Sequence, residues 1–250
     1  MTPAELRPAT ASSWKDYIQG VESRRLGDEA NRVLWIDQVP GRRQRVRSGM
    51  IVVSAMNGKP LKAVPHGLIH DWIGAIFIPG VSVHDVIAML QDYDRYAGYY
   101  GPTVRCAKLL DRNGSRDSFR VRYVRKAFFV TVVLDVDYDA EYCRLDEHRW
   151  YSVARSTSIR EIHTYDEPDE SNLPADYGSG YLWRAFSILK LDEGDGGVYV
   201  EQESIVLSRK IPVSLRWLIE PFVERLSREL VTGWLRQTRE AVLSRALQTH

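Results

Sequence analysis

Val198-Tyr-Val-Glu-Gln-Glu-Ser-Ile-Val-Leu-Ser-Arg-Lys-Ile-Pro212 is the stretch on which the reading of the fold turns. Up to Ser208 it has the period of a strand, with Tyr199, Glu201, Glu203 and Ile205 in phase on one side. Beyond it the period changes. From about Pro212 to Leu247, Leu215, Ile219, Phe222, Leu226, Leu230, Trp234 and Ala241 follow a helical stripe. Pro212 suits a first helical turn, where its missing N–H costs nothing. Glu224 with Arg228, Arg225 with Glu229, and Arg236 with Glu240 fall at i,i+4 on the other faces. Some 35 residues would span roughly 50 Å at 1.5 Å each. Pro221 is therefore expected to kink or restart the helix, leaving a short first segment and a long second one. A sheet that ends in such a helix usually bends around it and encloses a cavity.

Further towards the N-terminus, strand-like runs recur at about 103–111, 117–126, 128–139, 149–162, 181–191 and 197–208. Asn113-Gly114 and Gly194-Asp195-Gly196-Gly197 supply tight turns, and Asp166 to Gly180 is the longest loop. His66 to Pro79 is a strongly apolar strand. Ser82 then caps a helix, with Asp85 completing a capping box and Val83, Val86, Ile87 and Leu90 as its buried stripe. A further helical turn or two runs from about Asp94 to Tyr100. Ahead of all this, residues 12–26 read as a helix capped by Ser13, with Trp14, Tyr17, Ile18 and Val21 on one side. Val33 to Ile36 and Gln44 to Ala55 read as strands, with Asn57-Gly58 as a hairpin turn and Leu61 to Val64 returning from it.

Lys+Arg 34 against Asp+Glu 33 leaves a net charge of +1, so no bulk attraction to nucleic acid is expected. The sharpest local charge is Arg42, Arg43, Arg45 and Arg47. Alternation would put the last three on one strand face, either as a solvated, charge-protected edge or as a peripheral contact to anionic lipid head groups. Cys106 and Cys143 are expected as reduced, buried thiols. No apolar run is long enough to span a bilayer, and the start has no signal-peptide pattern. The chain as given therefore reads as cytoplasmic, although a removed signal peptide would leave no trace.

GxSxG, HExxH, P-loop and strand–GxGxxG–helix patterns are all missing, so no catalytic residue, metal ligand or cofactor is assigned. His66 and His70, in phase on a strand, would stand about 13 Å apart, too far for a shared metal. Thirteen Tyr and seven Trp against six Phe suit the wall of an amphipathic pocket, and equally the filling of a curved sheet. Arg155 shares a phase with Val153 and Thr157, and Glu203 with Tyr199 and Ile205. An Arg on an apolar face needs an acid nearby, so the two are expected as a pair, either a structural clamp or a ligand anchor.

The order strand, two helices, six strands, long terminal helix resembles the helix-grip fold of the START-like superfamily. Phe77-Ile-Pro-Gly80 running into the Ser82 helix, Gln91-Asp-Tyr-Asp94, Ser156-Thr-Ser-Ile-Arg-Glu-Ile162 and the opening Val198–Pro212 stretch carry the resemblance, which runs from about Gly67 to Ala246. It implies an α+β helix-grip domain over 66–250, preceded at 1–65 by a helix and β-hairpin extension that covers the outer sheet face or a cavity mouth. The superfamily is defined by topology, so it argues fold and not chemistry. The function implied is binding or transport of a lipid, isoprenoid or polyketide-like molecule. The alternative is an aromatase/cyclase-like enzyme using His70, Arg155, Glu203 and Tyr123. The expected ligand-binding residues are Trp72, Tyr96, Tyr123, Arg155, Trp183, Glu203, Phe222 and Leu226. Phe77 points to the face opposite Trp72, so only one of those two can line the cavity.

Overall fold

The structure is a computed structural model that describes residues 3–27, 33–127, 130–167, 169–210 and 216–249. Its centre is β4 (Gly67–Pro79), buried along almost its whole length. Both of its faces are covered, so its sequence is a continuous apolar run instead of an alternating one. β12 (Gly197–Arg209) lies antiparallel beside it, from Gly197 opposite Pro79 to Arg209 opposite Gly67. Beyond β12 follow β11 (Arg184–Gly194), β8 (Arg149–His163), β7 (Val130–Arg144), β6 (Arg116–Ala127) and β5 (Val104–Asn113). The β11–β12 connection is a tight hairpin with Asp195 at φ 55° and Gly196 at φ 80°, the left-handed pair that such turns require. Between β4 and β5 come α3 (Val83–Leu90), closed by the Ser82–Asp85 capping box, and α4 (Tyr96–Tyr100).

The long terminal helix, α5, runs from Arg216 to Thr249 as one element. Pro221 lies inside it and does not restart it. The expected start at Pro212 and Leu215 lies outside the described residues, as do the side chains of Ile219 and Phe222. Of the three i,i+4 pairs, Arg225–Glu229 forms, at 2.8 Å. Val231 and Leu235 press α5 onto β4 at Gly74. A Cβ there would stand 2.7 Å from Leu235 Cδ1 and 2.9 Å from Val53 Cγ2, so only glycine permits this approach. Further along, Tyr100 stacks on Trp234 at 6.0 Å and hydrogen-bonds Thr238 at 3.1 Å.

The segment before β4 covers the sheet face away from α5. α1 (Pro8–Arg25) begins with proline in its first turn, earlier than the Ser13 start expected; the Ser13 hydroxyl instead donates to Ala9 O. Its Ile18 and Val21 pack on Ile69, Ile188, Ile205 and Leu207. A 3-10 turn, Trp35–Gln38, replaces the first expected strand, and α2 (Arg42–Arg47) replaces the start of the second. Together they bury Trp35, Ile36 and Val46 against Ile73, Phe77 and Tyr199. Each large side chain buried here contributes about 1.5–3 kcal/mol.

β2 (Val52–Ala55) and β3 (Leu61–Val64) do not form a hairpin. Both pair with β4, at Ala75–Trp72 and His70–Gly67, so they are two pieces of one edge broken by the turn at Met56–Gly58. β9 (Ser171–Asn172) pairs with β8. β1 (Ala4–Glu5) pairs with β10 (Tyr177–Gly178), tying the start of the chain to the long loop. Cys143 is half-buried but Cys106 is exposed, because β5 is an outer strand; both are free thiols.

Candidate functional site

Strand register assigns every side chain to one face. His70, Trp72, Gly74, Ile76 and Ile78 of β4 face α5, opposite Val206, Ser204, Gln202, Val200 and Val198 of β12. The same face continues through Ser187, Leu189 and Leu191 of β11 to Ala154, Ser152 and Trp150 of β8. Its two ends differ in filling. Where the C-terminal half of α5 crosses, large side chains such as Ile76, Ile78, Val200 and Leu191 are fully packed. Towards the other end, Ser204, Ser208, Ser187, Ala185 and Ser156 are small and half-buried. Four residues along β12 and two strand spacings make this patch roughly 13 by 10 Å.

Three buried polar atoms along that region have no hydrogen-bond partner among the described residues: His70 Nδ1, Trp72 Nε1 and Gln202 Oε1. His70 Nε2 is engaged with Ser208 Oγ at 2.8 Å. Burial pushes the His70 imidazole down to about 4, so it is neutral at pH 7. A buried donor or acceptor left unmet costs about 1–3 kcal/mol, so groups like these normally face a water or a ligand.

On the same face, further across the sheet, Tyr123 and Arg125 of β6 stand opposite Leu134 and Val132 of β7. Tyr123 and Tyr138 touch through their hydroxyls at 3.5 Å, and burial raises both phenols. Arg125 is half-buried, donates to Thr103 Oγ1 at 2.7 Å and, among the described residues, has no carboxylate within ion-pair reach. Burial lowers its guanidinium, and only the phenols of Tyr181, Tyr123 and Tyr138 counter this.

The expected site residues divide between the two faces. Trp72 and Tyr123 face α5, and Leu226 is half-buried on α5 itself. Tyr96 is committed to the filled end, hydrogen-bonding Leu90 O and packing on Tyr93 at 5.2 Å. The Phe222 side chain lies outside the described residues. Trp183 packs with Ile18 and Leu207 on the outer face, as Phe77 does with Tyr199.

Arg155 and Glu203 also occupy the outer face and do not pair with each other. Arg155 reaches Glu22 of α1. Glu203 is met by Arg25 Nε at 2.8 Å, and Glu201 by Arg25 Nη2 at 2.5 Å. The acid's partner therefore comes from the end of α1 instead of a neighbouring strand. Asp71 and Lys190 complete this buried cluster, and Tyr17 donates to Asp71 at 2.6 Å. Burial and the facing Asp71 push the Glu203 carboxyl up to about 7, and burial brings Lys190 down to about 8. His70, Tyr123, Arg155 and Glu203 thus do not converge as the cyclase alternative requires. Among the described residues no group of three or more His, Cys, Asp or Glu could hold a metal, and no helix is long and apolar enough to cross a membrane.

Gln202, Ser204 and Arg125 were not singled out by sequence reasoning. The signal was present in the phase: if Glu201 and Glu203 face one way, Gln202 and Ser204 face the other. Arg25 carried no such signal, since its partners lie more than 170 residues away.

One apolar strand, two short helices, six long antiparallel strands and a terminal helix laid across one sheet face make the helix-grip order. The fold is of the α+β helix-grip type. Neither a protein-family model nor a curated protein matches the sequence. Among solved structures similar to this chain is human STARD10, 12% identical over 76% of this chain and 76% of that one, with a TM-score of 0.49. A STAR-related lipid transfer protein from Xanthomonas axonopodis is 17% identical over 75% of this chain and 98% of its own, with a TM-score of 0.44. The Zhui aromatase/cyclase from Streptomyces sp. R1128 is 12% identical over 71% and 96%, with a TM-score of 0.46.

Proposed function

We propose that this protein binds and carries a hydrophobic small molecule bearing a polar end, of the lipid, isoprenoid or polyketide-like kind, between the helix face of the sheet and the N-terminal half of α5. The observation that carries the reading is the alignment of His70 Nδ1, Trp72 Nε1 and Gln202 Oε1, buried and unmet, beside a patch of small half-buried residues. Small side chains leave room for an apolar body. The two ring nitrogens and one amide oxygen suit a hydroxyl or carbonyl on it. Trp72, Tyr123 and Leu226 serve as walls, and Arg125 as a polar contact at the far side. His70, neutral at pH 7, acts as a hydrogen-bonding group and not as a charge.

Native mass spectrometry of freshly purified protein tests this directly, with a bound small molecule as the expected result. The double substitution Ser187→Leu, Ser204→Leu fills the patch from two adjacent strands and should remove that mass while leaving a folded protein. The reading fails if no ligand co-purifies and delipidated protein shows no change in melting temperature across a broad lipid panel.

A further inference from the structure

Outside the sheet, α2, β2 and α5 enclose a surface groove of about 260 Å³. At about 30 Å³ for each water in the liquid, it has room for roughly eight. Its walls are Trp35, residues 51–54 at the sheet edge, and three arginines, Arg42, Arg45 and Arg228; among the described residues no acidic residue lines it.

That arrangement departs from the rest of the surface around it. Arg43, next to Arg42 on α2, is bound to Asp37 at 2.6 Å and Asp192 at 2.9 Å, and Arg47 lies 3.8 Å from Asp195. On α5, Arg225 pairs with Glu229, whereas Arg228 does not take the Glu224 that lies one turn before it. Among the described residues neither Arg228 nor Arg45 has a carboxylate within 4 Å. Arg42 is held in place without an acid: it lies 3.7 Å over the Trp35 ring and donates to Trp35 O at 2.7 Å. Arg239 donates to Gly49 O at 2.9 Å, tying α5 to the turn after α2 and fixing the far wall. Burial and the like charge of Arg45 lower the Arg42 guanidinium, while Glu201 beneath opposes them. Three cations around one groove repel one another, and an anion that accepts from all three relieves that repulsion. Guanidinium groups match phosphate oxygens with paired N–H donors.

We infer that this groove is a phosphate-binding site, in which Arg42, Arg45 and Arg228 hold a phosphate group that is either free or the ester of a lipid head. The site is independent of the cavity reading, because it requires nothing beneath α5. The test uses the full chain and the double variant Arg45→Ser, Arg228→Ser, with Arg228→Ser alone as a second variant. Both residues are exposed and make no side-chain bond to another described residue, so wild-type melting temperatures are expected. Inorganic phosphate is titrated by calorimetry. In parallel, flotation compares phosphatidylcholine vesicles with and without phosphatidic acid. Phosphate affinity reduced at least tenfold in the double variant supports the site and shows that free phosphate suffices. Capture only by vesicles containing phosphatidic acid, lost in the variant, supports it with a lipid head group as the source. If the wild type binds neither, or the double variant binds as the wild type does, the assignment is overturned.

Discussion

Glu201 and Glu203 point to one side of β12, and Gln202 and Ser204, one residue away, to the other. On the outer side, three buried carboxyls are matched by Arg25 and Lys190, by the half-exposed Arg24 at 3.6 Å from Glu203, and by a Tyr17 hydroxyl. On the helix side, comparably buried polar atoms have no hydrogen-bond partner among the described residues. Polar groups in a protein interior are normally met; on the outer face cations stand within ion-pair distance of the carboxyls, although Asp71 Oδ1 and both Glu203 oxygens make no hydrogen bond among the described residues. Where α5 closes the opposite face, His70, Trp72 and Gln202 have no charged partner among the described residues. The outer face sets buried charge against buried charge; the helix face holds neutral polar groups.

The largest effect expected from breaking this contrast is on the outer side. Arg25→Met leaves Glu201 and Glu203 buried without their main cation, which costs about 3–5 kcal/mol. Urea melts should show the loss, and a variant as stable as wild type would mean that α1 does not complete this face. Next is Gly74→Ala, which forces Leu235 or Val53 to move and should cost about 1–3 kcal/mol, as overpacking of a filled core does. The filled end of the helix face should therefore resist insertion, whereas the Ser187 and Ser204 end should accept it.

The two faces also respond oppositely to pH. The Glu203 carboxyl, raised from 4.5 to about 7, binds its proton more tightly in the folded protein, so its contribution is full below about 4.5 and fades as pH rises through about 7. His70, lowered from 6.5 to about 4, contributes fully above about 6.5, and that contribution is lost as pH falls through about 4. Glu203→Gln removes the first dependence and leaves the second. Its stability relative to wild type should rise steadily between pH 4.5 and 7 in parallel urea melts. A constant difference across that range would show that Glu203 titrates normally. The smallest effect is at Arg155. Its pair with Glu22 is largely exposed, so Arg155→Met should cost no more than about 1 kcal/mol and should leave ligand retention unchanged.

The strands from β4 onward, the capping box at Ser82 and the presence of a terminal helix were legible because each is written in local periodicity, whereas the stripe was read one position off: Val231 and Leu235 are buried, and Leu230 and Trp234 beside them are only half-buried. The extension was not. Gln44 to Ala55 has strand-like residues, yet Gly41 at φ 77° opens a helix there. Asn57-Gly58 has hairpin chemistry, yet β4 offers both flanking pieces a longer partner than either offers the other. Tertiary pairing overrides local preference in both cases. The site was half legible. Phase correctly separated Trp72 from Phe77, but a charged residue on a strand says only that it needs a partner. Glu203 and Arg155 found theirs on α1, a helix that sequence proximity gives no reason to connect to either.

The broken edge formed by β2 and β3 has a consequence for association. An edge strand offers free N–H and C=O groups to any extended chain, and long straight edges invite stacking into fibres. Here one margin of the sheet is cut into two four-residue pieces. The opposite margin, β5, carries register shifts at Val104/Cys106 and Leu109/Asp111 and is studded with Arg105, Lys108, Asp111 and Arg112. Neither margin presents a run of matched, uncharged pairing groups long enough to template a new strand. A sheet this wide thereby limits edge-to-edge pairing without a barrel's closure.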